Sequence, residues 1–461
     1  MSKNQFKTKT NRLPFTFLKS RINKSLILFI PITFYAIGLF PGRIYRDSTS
    51  LLELMRVGES SDQWTALYFR YLQVTTINGK FLFLNAILGL SILTLSFYWF
   101  MNTLGITRRT LINVTAVMIA SPFLGVFGMT VGHDTTTASG VLLLVGTLIR
   151  LKKSQITKVQ PAIVTLGFLL CSTSFLGFTA IIGFAFALGL VKRKALSVAI
   201  IGLTIFLFFF GSSILRVQSV SEDLRLTSLL GDIKCIAQHQ DSNISKGQWV
   251  AIQQLAPESD WKAQTSCWIA DNAYFALGEA SKNPLGTAKL WANLAAQNPQ
   301  ILIMAHIQRA SVALPPVFFS PPPNMIENNY AVPIGEGTAD DLQKYSELFK
   351  TSVDDTPSKK MKLPLQSFFE HLALFVTFIF NQHSSLWGWA GLWLVTIILL
   401  GKKNTGIKSR DVLLFTAPLI SMHSAMALVS PAPNPRYLMA TTIIGITFCL
   451  QFVFDKTQSK H

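Results

Sequence analysis

Long apolar runs and short polar loops alternate along this chain. The runs fall at about 25–40, 81–100, 111–128, 135–149, 161–172, 175–191, 195–214, 386–400, 411–429 and 437–454. Near-continuous apolar stretches of this length, without period-two alternation, predict helices in hydrocarbon rather than strands or soluble amphipathic helices. Several fall short of the roughly 20 residues a perpendicular span needs, which implies local thinning or ends covered by protein. Residues 161–191 are best read as a short hairpin turning at Ser172-Thr173-Ser174, because one long span would place Lys192-Arg193-Lys194 outside. The one extended polar region, 215–370, has apolar positions at helical spacing in 224–237 and 287–314 and a looser stretch near 330–363. Residues 372–380 are too few to span and suit an interfacial or re-entrant helix.

The expected fold is therefore all-α and integral to the membrane. It has about ten transmembrane helices, with a mainly helical external domain inserted between the seventh and eighth spans. Residues 1–24 form a basic cytoplasmic tail. Residues 25–214 form an N-terminal transmembrane module with external loops 41–80 and 129–135. Residues 215–370 are the external domain, and 371–461 the C-terminal membrane helices.

Composition agrees: 50% of residues are hydrophobic, 14% are charged, and the mean hydropathy is +0.39. The net charge of +18 invites a nucleic-acid reading, but its distribution argues against one. Basic clusters lie in the tail, at Arg108-Arg109, from Arg150 to Lys158, at Lys192-Arg193-Lys194, from Lys402 to Arg410, and at Lys456 and Lys460. These are alternate loops, so the charge sets topology: both termini are cytoplasmic, and membrane lipids are its partner. Cys171 and Cys449 fall inside apolar runs. Cys235 and Cys267 share the external region, where an oxidising compartment would let them pair. No Walker loop, GxGxxG, HExxH or CxxC pair occurs, so cytosolic nucleotide chemistry has no motif to rest on.

The loop after the first run holds every acid between Met1 and Thr130: Asp47, Glu53, Glu59 and Asp62. On this topology it meets 130–134, 215–370 and 430–437 outside the membrane. Sugar transfer from a lipid phosphate would need three things there: a carboxylate base, cations for the departing phosphate, and a groove open to lipid. Asp47 or Asp62 supplies the first, and Arg46, Arg436 or Arg43 the second. Pro41-Gly42, Arg46-Asp47-Ser48 and Ser61-Asp62-Gln63-Trp64 together resemble the first external loop of bacterial GT-C-type glycosyltransferases. His133-Asp134 before an apolar helix is similar to their second acidic site, and Pro435-Arg436-Tyr437 to an Arg-Tyr element before their last helix.

The resemblance implies a polyprenyl-phosphate sugar as donor, a glycan, lipid or protein as acceptor, and transfer on the outer face. Asp47 would be the base, and Asp134 a second acid orienting the acceptor or a divalent metal. Arg46 and Arg436 would clamp phosphate, with Asp62, Trp64, His133 and Tyr437 lining the substrate. Two features depart from the family: the turn Ser172-Thr173-Ser174 lacks a basic residue, and the external domain is not C-terminal.

Each residue has a plainer reading. Asp47 and Asp134 suit helix N-caps, and Ser50-Leu51-Leu52-Glu53 has capping-box spacing. His133 reads as structural, Trp64 equally as an interface anchor, and Arg436 as snorkelling to headgroups. His239, His306, His371, His383 and His423 lack metal-ligand spacing, so no metal site is assigned. The competing functions are a polysaccharide polymerase or ligase leaning on Arg309 and its neighbours in 215–370, and a flippase. The near absence of mid-membrane charge weighs against the flippase.

Overall fold

The computed structural model describes residues 29–30, 32–40, 42–44, 48, 51–52, 54–55, 58–62, 64–121, 124–155, 157–218, 221–267, 269–314, 332–333, 363, 365–382, 388–429 and 435–458. The described chain is mainly helical, with three two-residue strands. Each apolar run carries a helix. The first comprises residues 32–38. The others are α2 (Leu82–Leu104), α3 (Arg108–Ala120), α4 (His133–Lys152), α5 (Gln160–Cys171), α6 (Phe175–Leu190), α7 (Lys194–Ile214), α15 (Ala390–Thr405), α16 (Ser409–Val429) and α17 (Met439–Gln458). Four helical stretches among the described residues are long and apolar enough to cross a membrane: Leu82–Leu104, Lys194–Ile214, Ser409–Leu428 and Arg436–Phe454. α5 and α6 are shorter apolar helices, and they turn at 172–174 as a hairpin.

The bundle is organised around α4, which packs on α2, α5, α6, α16 and α17 and is buried along almost its whole length. Its composition explains how so many neighbours fit. Gly140 lies against Cys171 and the Gly167 backbone, and Gly146 against the Trp99 ring, with no room for a Cβ at either position. Several of its hydroxyls are satisfied within the helix, Thr137 donating to the His133 carbonyl and Ser139 to that of Thr135, while Thr135 donates to the Phe127 carbonyl just ahead of it. A Thr- and Ser-rich helix therefore costs little when enclosed. The hairpin turn is fastened to the first turn of α4 by the Thr136–Thr173 (2.7 Å) and Thr137–Ser174 (2.8 Å) hydroxyl pairs. α6 meets α16 where Gly183 abuts the Ala417 carbonyl and Pro418. At the far end of α4, Lys152 pairs with Asp411 at 3.2 Å.

In sequence between α7 and α15 lies a helical cluster: α8 (Ser221–Gln238), α9 (Lys246–Leu255), α10 (Glu258–Lys262), α11 (Leu277–Lys282), α12 (Pro284–Gln297) and α13 (Pro299–Arg309), with a 3-10 turn at Ala270–Ala276. The apolar stretch 287–314 is split where Asn298-Pro299 ends one helix and opens the next. α8 is the axis. Its Leu230, Ile233 and Ile236 pack on Trp261, Ala273 and Leu294, and its Cys235 is disulfide-bonded to Cys267. Buried Asp232 takes hydrogen bonds from Arg309 and from Trp291 Nε1 (2.8 Å), with His306 Nε2 3.2 Å away.

After α13 the chain does not stay with this cluster. Residues 310–314 insert among the membrane helices. Gly391 N donates to the Val312 carbonyl (2.9 Å), Trp389 Nε1 to the Ser311 and Leu314 carbonyls, and His423 Nδ1 lies 2.8 Å from the Ala313 carbonyl. α14 (Gln366–Gln382) begins ahead of the boundary drawn at 371 and is longer than the stretch 372–380. It packs on the first helical stretch through Phe369 against Gly38 and through Gln366 donating to the Phe40 carbonyl (2.7 Å). The looser stretch 330–363, apart from Val332–Pro333 and Leu363, lies outside the described residues, as do Ser50 and Glu53 of the capping box.

Candidate functional site

Local pairing brings the loop after the first apolar run to the start of α4. Strand β1 (Arg43–Ile44) runs parallel to β2 (Thr130–Val131), with Arg43 opposite Thr130 and Ile44 opposite Val131, and β3 (Val332–Pro333) completes the sheet antiparallel to β1. Ser48 Oγ donates to the Val131 carbonyl at 2.9 Å and lies 3.2 Å from the Tyr68 hydroxyl. Tyr68 belongs to α1 (Ala66–Thr75), whose N-cap Thr65 accepts from Tyr68 N. Two residues past β2, His133 enters an aromatic wall, its ring centroid 4.6 Å from that of Trp64 and 5.6 Å from that of Tyr68.

Asp134 sits in the first turn of α4, where the positive end of the helix dipole favours a carboxylate. Its Oδ1 lies 3.3 Å from His133 Nδ1 and its Oδ2 3.3 Å from Arg436 Nε. Arg436 comes from the other end of the chain, on a 3-10 turn (Pro435–Leu438) that opens α17, and its guanidinium stands over the Tyr437 ring at 5.3 Å. All three polar residues are only 6% exposed. An acid and a guanidinium this far from solvent hold their charges at the expense of hydration. Each is a strong constraint on the other. Chemically the constellation offers a pre-oriented cation beside a carboxylate, an imidazole and an indole face. Such a set suits an anionic group carrying a sugar ring.

The remaining expected residues fall in different places. Asp62 is buried but serves a joint with the end of α7: Ser212 Oγ donates to its Oδ2 (2.7 Å), and its backbone N–H to the Gln218 carbonyl (3.1 Å). Arg70 strengthens that joint by donating to the Leu215 and Arg216 carbonyls. Glu59 is exposed, as expected of an acid facing water. Arg46, Asp47, Glu53 and Gln63 lie outside the described residues. Arg309, the residue a polymerase reading would lean on, is 1% exposed and spent on Asp232 inside the helical cluster. Among the described residues no group of three or more His, Cys, Asp or Glu is placed to hold a metal.

Sequence reasoning missed Tyr68, Ser48 and the Thr136–Thr173 fastening. The run Thr135-Thr136-Thr137 directly after His133-Asp134 was the available signal, since three hydroxyls at a span entrance are expensive unless enclosed. His423 was also passed over. It is buried in α16, with Nε2 3.1 Å from Thr441 Oγ1 on α17 and Nδ1 on the inserted segment. A carbonyl can only accept, so Nδ1 carries the proton and Nε2 accepts from Thr441.

Fold and site together define a mainly helical protein with, among the described residues, four helices long and apolar enough to cross a membrane and a buried His–Asp–Arg constellation at the start of its central helix. No family model, curated protein or solved structure matches the chain.

Proposed function

We propose that this protein is a membrane glycosyltransferase that moves a sugar from a polyprenyl-phosphate carrier to an acceptor on the extracytoplasmic side. The observation that carries the reading is the buried approach of Arg436 to Asp134 beside His133 and Trp64. A cation held ready in a poorly hydrated pocket stabilises charge developing on a leaving phosphate without reorganising at the moment of reaction. In the reaction, the acceptor hydroxyl loses its proton to the Asp47 carboxylate, and its oxygen forms the new bond to the anomeric carbon. The carbon–oxygen bond to phosphate breaks, and the polyprenyl phosphate leaves with the electron pair, its charge met by Arg436. Asp47 keeps the role of base in this reading because its sequence neighbour Ser48 is bonded to Val131, two residues ahead of His133. Asp134 aims Arg436, and the Trp64 and His133 rings form the surface on which a sugar lies.

The reading also takes the basic loops and both termini as cytoplasmic, the site as external, and the shorter apolar helices as further spans of a ten-helix bundle. The test is transfer of labelled sugar from a polyprenyl-phosphate donor to envelope acceptors, using the full chain in nanodiscs. Asp47→Asn is expected to abolish transfer while leaving the protein folded. Arg436→Gln is expected to lower kcat by at least about a hundredfold, the scale set by losing one stabilising donor. Full activity in both variants would overturn the proposal.

A further inference from the structure

Opposite the helical cluster, α13 exposes the apolar pair Ile303 and Met304, with Gln300 one turn earlier on the same face. Ala305, His306 and Arg309 turn inward, the last two onto Asp232, while the neighbours Ile303 and Met304 are 57% and 49% exposed. From the structure we infer that this face lies in the outer leaflet, so that the external domain is seated in lipid along Pro299–Arg309 and plugged into the bundle by residues 310–314.

The argument is one of depth. His423 lies six residues before the end of α16 at Val429, which at about 1.5 Å per residue puts it about 9 Å below that helix end. Thr441 lies five residues past Arg436, where the last apolar stretch begins, about 8 Å below its own. Both side chains belong to the hydrogen-bonded set that holds the Ala313 carbonyl. The inserted segment therefore reaches about one and a half turns below the helix ends. α13 leads straight into it and packs on α16. Ile303 is six residues from the last residue of α13, so even an upright helix raises it only about 9 Å above that point. A headgroup layer is about 5–8 Å thick on each side of the hydrocarbon. Ile303 and Met304 then fall within that layer, and deeper if α13 is tilted. Adjacent large apolar side chains are stabilised there and would be costly in bulk water. The occupant is lipid because the surface continues one already committed to the bilayer. This holds whether or not the site is a transferase.

The test uses the full chain in nanodiscs of phosphatidylethanolamine and phosphatidylglycerol, with Cys171 and Cys449 replaced by Ala. Spin labels are placed at Ile303→Cys and Met304→Cys. Phe209→Cys, on the exposed face of α7, serves as the lipid reference and Glu279→Cys, at the exposed surface of α11, as the aqueous one. Both α13 labels are expected to be readily relaxed by oxygen and poorly by a water-soluble nickel chelate, at a depth between the two references. Labels that match Glu279→Cys would overturn the inference. Labels shielded from both reagents would also overturn it, and would mean that a second copy or another protein covers this face.

Discussion

Removing the charge from Asp134 is the most direct perturbation of the site. With Oδ2 3.3 Å from Arg436 Nε and both residues 6% exposed, Asp134→Asn leaves a buried guanidinium without its counter-charge. Two unit charges about 4 Å apart interact by about 4 kcal/mol at an effective dielectric near 20, most of which offsets desolvation in the intact pair. Breaking such a pair from one side costs about 3–5 kcal/mol, because the surviving charge keeps its burial and loses its compensation. Arg436→Gln strands the carboxylate in the same way. The double variant strands neither, so it should be less destabilised than the two singles combined, with a coupling of at least about 1 kcal/mol. Unfolding by SDS titration from mixed micelles, run as a double-mutant cycle, measures that coupling. Singles that each cost under about 0.5 kcal/mol and simply add would be the behaviour of surface substitutions. They would refute the claim that Asp134 and Arg436 form a buried unit.

Two further outcomes are expected outside the reacting groups. Burial alone would push the Asp232 carboxyl up, but the His306 bond, the Arg309 and His306 charges and the Trp291 bond together hold it below the ordinary carboxylate value. A depressed carboxyl contributes stability that is full above its unfolded value, near about 3.9, and fades as pH falls through the lower folded value. Near-UV circular dichroism of the wild type should therefore show the helical cluster loosening only below about pH 4, while Asp232→Asn is loosened at neutral pH and responds less to acid. An unchanged acid profile in Asp232→Asn would remove that carboxylate from the account. In the bundle, His423→Leu removes both ring hydrogen bonds and strands the Ala313 carbonyl, at a cost of about 1–3 kcal/mol. Hydrogen exchange should rise across 305–314, and unchanged protection there would show that His423 does not hold the inserted segment.

The helices were legible because apolar length reports a property of each segment alone. The hairpin at 172–174 followed from the charge of Lys192-Arg193-Lys194, and the short helices α5 and α6 stand on either side of it. Contacts between distant segments were not legible in the same way. Nothing local in Leu314 or its neighbours announces that 310–314 leave the helical cluster, since the fit depends on Gly391, Trp389 and His423 from another part of the chain. The approach of Asp134 to Arg436 joins residues 302 positions apart (436 against 134). Topology reasoning expected 130–134 and 430–437 to meet on one side, but the sequence could not show that the two side chains approach within 3.3 Å. Asp62 shows another limit: its pattern with Trp64 suggested chemistry, and nothing in it announced the bond from Ser212 that ties the loop to the end of α7.

Hydropathy fails most informatively at α4. It is the most enclosed helix of the bundle, yet it is not among the four stretches apolar enough to stand as spans on their own. An apolar scale measures what lipid demands of a surface, and α4 presents almost none to lipid. α7 is the converse, with Val198, Phe206, Phe209 and Phe210 exposed along its length and little of it buried. A helix that does not qualify as a span by hydropathy is thus the one that carries His133, Asp134 and three threonines in its first turns. Carbonyls of α4 itself and neighbouring segments, rather than solvent, satisfy those groups. Polar residues concentrated at one end of an otherwise enclosed helix are hard to account for as packing alone, because leucine would fill the same space without the desolvation cost. That cost is the physical reason for placing the chemistry at this end of α4 rather than in the exposed cleft of the helical cluster lined by His239, Trp249 and Lys262, where polar side chains stay hydrated at little expense.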